Sequence, residues 1–295
     1  MRDTITNDVA LLDSAGSLLA SYDVVFCDVW GVVHNGVTPY ATACEALARF
    51  RDGGGAVVLV TNSPVPAKET GDFIATHIGV PRNAWDAIIT SGDLTRGFIT
   101  AHDLSRIHHI GPPRDLPVFK GLDVERVTLD EAQGIICTGV VDDVRETGET
   151  YRPVLETARD RGLPLVCGNP DLVVEVGGIY YPCAGAVAVI YESLGGEVFW
   201  AGKPHEPVYA GAHRLAEERL GRAVDRRRIL GIGDALRTDM AGAAGYGIDG
   251  LLIGRGIHRE ELMPDDDAID ANRLSELLAT STRRKPIAAM PTLAW

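Results

Sequence analysis

Two kinds of stretch alternate along this chain. Short runs that are apolar almost throughout lie within residues 22–28 (YDVVFCD), 56–63 (AVVLVTNS), 87–94 (AIITSGDL), 134–139 (GIICTG) and 249–254 (DGLLIG). Longer segments between them repeat their apolar residues at helical spacing. Apolar runs bounded by turn residues predict buried strands, and their alternation with amphipathic segments predicts parallel α/β layers. Further strands are expected within 106–113, 163–171, 197–204 and 228–234, with helices over 41–50, 144–162, 184–194 and 207–220. Gly53, Gly54 and Gly55 follow the first helix and precede a strand, so they read as a helix stop; a phosphate loop would follow its strand. Pro264 and the run Asp265, Asp266, Asp267 read as a solvated loop, and residues 281–295 carry too little periodicity to place. No internal repeat is visible.

Composition narrows the class. A chain of 295 residues with 45% hydrophobic and 23% charged residues builds one large domain or two ordinary ones. A formal charge of −13 argues against binding nucleic acid, and the basic run Arg226, Arg227, Arg228 is too short to change that. Five scattered cysteines without a C-x-x-C pair are expected as buried free thiols in a reducing compartment. No secretory-type segment and no apolar run of membrane-spanning length is present, so a cytoplasmic protein that does not enter membranes is expected. The sequence leaves a homo-oligomer open.

Three strand ends deliver polar groups to turns: Asp28 after the first strand, Thr61 and Asn62 after the second, and Asp234 after Gly233. At neighbouring carboxyl ends of a parallel sheet such groups converge on one crevice. Lys203, in "GKP", opens another element. Together they supply a carboxylate nucleophile, hydroxyl and amide donors, a cation and a second carboxylate for a metal, the set phosphoryl transfer requires. Each also has a plainer explanation: Asp28, Thr61 and Asp234 as caps or turn formers, and Asp239 as an acidic residue favouring a helix N-terminus. "GIGD" is a weak dinucleotide signal, because Leu236 stands at the third glycine position, and the eight histidines lack metal-type spacing.

The four elements, in this order, resemble the haloacid dehalogenase superfamily. Asp28 in "DVWGV" matches the nucleophile, Thr61 in "VTNS" the second motif, Lys203 in "GKP" the third, and Asp234 with Asp239 in "GDALRTD" the acidic fourth. "TSGD", "GNPD" and "YPCAGA" are similar to the NagD-type subgroup, which inserts a large cap between the second and third motifs. The resemblance implies an α/β fold with a Rossmann-like parallel-sheet core, residues 1–82 and 199–295, and an inserted α/β cap domain over 83–198. It implies a magnesium-dependent (Mg2+) phosphatase acting on a small phosphorylated, sugar phosphate-like metabolite through an aspartyl-phosphate on Asp28. Thr61, Asn62 and Lys203 would hold the phosphoryl group. Asp28, the backbone carbonyl of Trp30, Asp234 and, through water, Asp239 would hold the metal. Asn169, Asp171 and Gly185 are the cap's candidates for reading the substrate.

One position departs from the pattern. The family's general acid/base aspartate lies two residues after the nucleophile, where this chain has Trp30, and indole exchanges no proton near neutral pH. Losing such a group typically costs about 10²–10⁴-fold in rate. Three accounts stand: His34 or His205 supplies the proton, the substrate has a good leaving group, or the chain is a slowed phospho-ligand-binding or regulatory protein.

Overall fold

The computed structural model describes residues 4–6, 9–176, 179–265, 268–280 and 285–295. Asp266 and Asp267 of the acidic run, and residues 281–284 of the tail, lie outside the described residues; Pro264 and Asp265 are exposed, as expected. Among the described residues fifteen strands follow in chain order. They are β1 (Thr4–Thr6), β2 (Val9–Leu11), β3 (Val24–Cys27), β4 (Ala56–Thr61), β5 (Ala87–Thr90), β6 (Arg106–Ile110), β7 (Glu125–Arg126) and β8 (Gly134–Cys137). Then come β9 (Leu165–Cys167), β10 (Val173–Val176), β11 (Ile179–Pro182), β12 (Val198–Trp200), β13 (Ile229–Gly233), β14 (Asp249–Ile253) and β15 (Ala288–Met290). The chain divides into two compact units, one of residues 1–61, 71–89 and 209–295, the other of 62–70 and 90–208.

The first unit is built on a sheet of order β1-β2-β15-β14-β13-β3-β4-β5, parallel from β2 through β4. Every residue of β3, β4 and β13 is buried, which is what continuous apolar runs demand of a sheet covered on both faces. The period of two shows in how β14 divides its side chains. Leu251 and Ile253 pack with Leu47, Phe50 and Leu59, while Leu252 packs with Leu262, Met263 and Leu274. The helix Ala41–Asp52 stops at the three glycines, where Gly54 takes φ +93° and a Cβ on Gly55 would lie 2.4 Å from the Phe50 ring. The α/β parallel-sheet class expected from the sequence is the class observed.

The second unit carries a sheet of order β12-β9-β8-β6-β7, parallel throughout, and a separate antiparallel pair, β10-β11. Ile135, Leu165 and Cys167 face the helix Ala184–Ser193 with Val187 and Tyr191, while Ile107, Ile136 and Val166 face Ile99 on the opposite side. All five cysteines are buried and free. No helix among the described residues is long and apolar enough to cross a membrane.

Two expectations about elements change. The helix expected over 144–162 begins later, as a 3-10 turn at Gly148–Tyr151 and an α-helix at Arg152–Asp160. Asp142 Oδ1 caps a single turn by accepting from the Val144 and Arg145 N–H groups, and Thr147, with extended backbone (φ −128°, ψ 172°), starts the helix anew through a capping box with Thr150. In the tail, β15 is an interior strand, paired with β14 on one side and β2 on the other.

Candidate active site

In the first unit, β13, β3 and β4 are consecutive neighbours, so Asp234, Asp28 and Thr61 stand at or just past adjacent carboxyl ends. All three are buried. Asp28 continues the ladder, its N–H donating to Ile232 O at 2.8 Å. Asp239 lies on the turn Leu236–Met240 after β13, and its Oδ2 accepts from the Ala235 N–H at 3.2 Å. One carboxylate oxygen from each of Asp28, Asp234 and Asp239 lies within 4.8 Å of the others.

Glycines clear the space these carboxylates fill. A Cβ on Gly233 would sit 2.1 Å from Asp239 Cγ, one on Gly31 2.2 Å from Asp234 Oδ2, and one on Gly256 1.9 Å from the same oxygen. Asp234 Oδ2 accepts from the Ile257 N–H at 2.7 Å. Asp234 is therefore held by the segment after β14. Sequence reasoning missed Gly31, Gly256 and Ile257; the glycine pair in "GRG" after β14 is the signal that points there. Like charges at this spacing repel by roughly 3 kcal/mol per pair at an effective dielectric of about 20. Three buried carboxylates so gathered suit a divalent cation, and a donor set made only of oxygen suits magnesium.

The loop after Asp28 explains where the Trp30 indole goes. The indole meets the His34 ring edge-on, with centroids 5.3 Å apart, and lies against Gly36, whose Cβ would come within 2.3 Å of it. His34 Nδ1 accepts from the Gly36 N–H at 2.9 Å, which places the ring proton of the neutral form on Nε2. Burial pushes His34 down to about 4. A neutral imidazole with its proton on Nε2 and Nδ1 occupied has no free basic nitrogen, so His34 organises the turn and is poorly suited to accept a proton. His205, in the second unit, stacks on Trp200 at 5.4 Å.

The second unit places Lys203 just past β12 and fixes its backbone with one side chain. Asn62 Oδ1 accepts from the Lys203 N–H at 2.8 Å, and Asn62 Nδ2 donates to Lys203 O at 3.2 Å and to Asp171 Oδ1 at 3.0 Å. Gly202 leaves room for this bracket, since a Cβ there would meet Asn62 Oδ1 at 2.5 Å and Ser91 Oγ at 2.2 Å. Asn169, Asp171 and Gly185 converge beside it. Asn169 Oδ1 accepts from the Asp171 N–H, and the Gly185 N–H donates to the carbonyls of both Asn169 and Asp171. "TSGD" forms a capping box between Thr90 and Asp93 at the head of the helix Ser91–Ala101.

Comparison with known proteins gives the family. A haloacid dehalogenase-like hydrolase profile matches residues 25–125 and a HAD-hydrolase-like profile matches 200–277. A crystal structure of a haloacid dehalogenase-like family hydrolase from Brucella suis 1330 is 45% identical, covers 96% of this chain and 100% of its own, and superposes with a TM-score of 0.83. The structure described as a possible sugar phosphatase from Cytophaga hutchinsonii shares the fold at 19% identity, 95% and 97% coverage and a TM-score of 0.74. The 5'-nucleotidase YutF of Bacillus subtilis (strain 168) is 23% identical over 251 residues, 84% of this chain and 93% of that protein. Fold and sequence thus define a hydrolase with its polar groups at parallel strand ends. The chain belongs to the haloacid dehalogenase-like hydrolase family.

Proposed function

We propose that this hydrolase is a magnesium-dependent phosphatase that cleaves a small phosphorylated, sugar phosphate-like metabolite through an aspartyl-phosphate on Asp28. The observation that carries the proposal is the buried gathering of Asp28, Asp234 and Asp239 at adjacent strand ends. The names of two similar proteins, a 5'-nucleotidase and a possible sugar phosphatase, support phosphorylated substrates.

An Asp28 carboxylate oxygen attacks phosphorus, and the bond from phosphorus to the leaving oxygen breaks. Water then attacks the same phosphorus, freeing Asp28 and releasing inorganic phosphate. Thr61 and the Asn62 backbone N–H hold the phosphoryl oxygens, since the Asn62 side chain is committed to Lys203 and Asp171. The Lys203 ammonium balances phosphoryl charge and orients Asp28. Asp28, the Trp30 carbonyl, Asp234 and, through water, Asp239 would hold magnesium, which when bound neutralises charge developing on the phosphoryl oxygens. Residues 83–198 are assigned to the cap that selects the substrate, and 1–82 with 199–295 to the catalytic core.

Trp30 favours a second reading, a phospho-ligand binder that turns over slowly. A panel of phosphorylated metabolites assayed with and without magnesium separates the two. Beryllium fluoride, which mimics the phosphoaspartate, should with magnesium raise the melting temperature of the natural protein and leave Asp28→Ala unmoved. An equal rise in both proteins overturns the assignment of Asp28. Saturable binding of a panel member without turnover moves the conclusion to the binder.

A further inference from the structure

We infer that Asp171 is a positioning residue for Lys203, acting through the Asn62 side chain and not by touching substrate. This rests on the role proposed above for Lys203. The geometry is that of a single amide whose oxygen and both hydrogens are engaged. Its oxygen takes the Lys203 N–H, one amide hydrogen goes to the Lys203 carbonyl, and the other goes to the Asp171 carboxylate. Asn62 and Lys203 are both buried.

An amide side chain has two orientations that differ by half a turn. The flipped one would set Asn62 Oδ1 against two acceptors, the Lys203 carbonyl and the Asp171 carboxylate, and Nδ2 against the Lys203 N–H. A carboxylate accepts and does not donate, so it settles the orientation more firmly than a neutral partner would. Asp171 is itself fixed at both ends of its residue. Its N–H donates to Asn169 Oδ1 at 3.1 Å, and its carbonyl accepts from the Gly185 N–H at 3.1 Å. Gly185 permits that approach because a Cβ there would fall 2.4 Å from Pro170 O and 2.5 Å from Asp171 O. Asn169, Asp171 and Gly185, expected to read the substrate, thus form a chain of hydrogen bonds that ends on the backbone of Lys203.

The test is a double-mutant cycle joined to amide exchange. With p-nitrophenyl phosphate and the substrates found in the panel, Asp171→Ala should lower kcat by about 10- to 100-fold, as ångström-scale misplacement of an acting group does. All substrates should lose by the same factor, with KM little changed. In a Lys203→Ala background the further loss should be under about twofold, because residues acting through one group do not add. Asp171→Asn still offers an acceptor oxygen and should recover most of the rate, which separates positioning from a folding defect. Hydrogen exchange at the Lys203 N–H should quicken about tenfold or more in Asp171→Ala and stay near the natural rate in Asp171→Asn. Reordered substrate preference, a fully additive loss, or unchanged Lys203 exchange overturns the inference. If the natural protein turns over nothing, the proposed phosphatase function fails, and the exchange measurement alone decides whether Asp171 orders Lys203.

Discussion

Replacing Gly256 with Ala adds one methyl group where the fold leaves no room. The new carbon would lie 1.9 Å from Asp234 Oδ2, 2.2 Å from its Cβ and 2.3 Å from its Cγ. Turning the carboxylate gives no escape, because the Asp234 Cβ is nearly as close as the oxygen. The oxygen must retreat about 1 Å to reach the 3.0 Å that real Cβ contacts respect. The Ile257 N–H that it accepts at 2.7 Å belongs to the next residue, so a shift of that size breaks the bond. Overpacking costs about 1–3 kcal/mol, and losing this part-buried hydrogen bond to a carboxylate adds roughly 1.5–3 kcal/mol. A displacement near 1 Å at a reacting centre removes about 10²-fold in rate. Gly256→Ala should therefore lower the urea midpoint, raise the magnesium needed for half-maximal hydrolysis of p-nitrophenyl phosphate, and cut the maximal rate. Gly247→Ala is the control: it has positive φ, at +80°, and nothing lies within 4 Å of its Cβ position. It should lose about 1–2 kcal/mol to backbone strain and keep its magnesium response. Natural magnesium half-saturation and rate in Gly256→Ala, or an equal loss of both in Gly247→Ala, would refute the placement of Asp234.

Trp30→Asp should speed hydrolysis of alkyl phosphates, with a ceiling of about 10²–10⁴-fold, and help p-nitrophenyl phosphate less because its leaving group needs little protonation. A folded variant no faster than the natural protein rules out simple replacement of an acid/base. Asp234→Asn should weaken magnesium binding in a calorimetric titration, since hard cations favour charged oxygen; unchanged affinity would make Asp234 a structural residue only. Burial lifts Asp115 from 3.8 to about 6, so the native state keeps a proton that the unfolded chain has lost. This contribution to stability is complete below about pH 3.8 and is lost, by about 3 kcal/mol, as the pH rises through 6. Asp115→Asn should flatten that slope in urea melts from pH 4 to 7; the same slope in both proteins would contradict it.

The strands of the first sheet were legible because β3, β4 and β13 are buried on both faces and so had to be apolar at every position. Asp28, Thr61 and Asp234 were legible for a related reason: each is the first polar group after such a run. What supports them was not. Gly256 and Ile257 follow a different strand, and their contact with Asp234 spans 23 positions that no local pattern records. β15 was invisible because Ala288–Met290 is three residues long and is made a strand by β2 and β14 on either side. The late start of the helix after residue 144 shows the opposite limit. Periodicity registers apolar spacing but cannot tell that Thr147 will be extended and start the helix anew. Asn62 was noticed for the amide next to Thr61, while its side-chain bracket on Lys203 needed the fold.

The position of β15 governs when this protein can finish folding as it leaves the ribosome. Ala10 lies opposite Ala288, so β2, already paired with β1, gains its second neighbour only once residue 288 has been made. β3 meets β4 early, but its other partner, β13, emerges some two hundred residues later. Meanwhile β3 presents an apolar edge with open backbone donors and acceptors, the kind of edge that recruits stray strands. The second unit, residues 62–70 and 90–208, is made in full before β13 emerges. Synthesis paused before residue 288 would leave β14 and β2 each with one open edge in the nascent chain that the finished sheet no longer has.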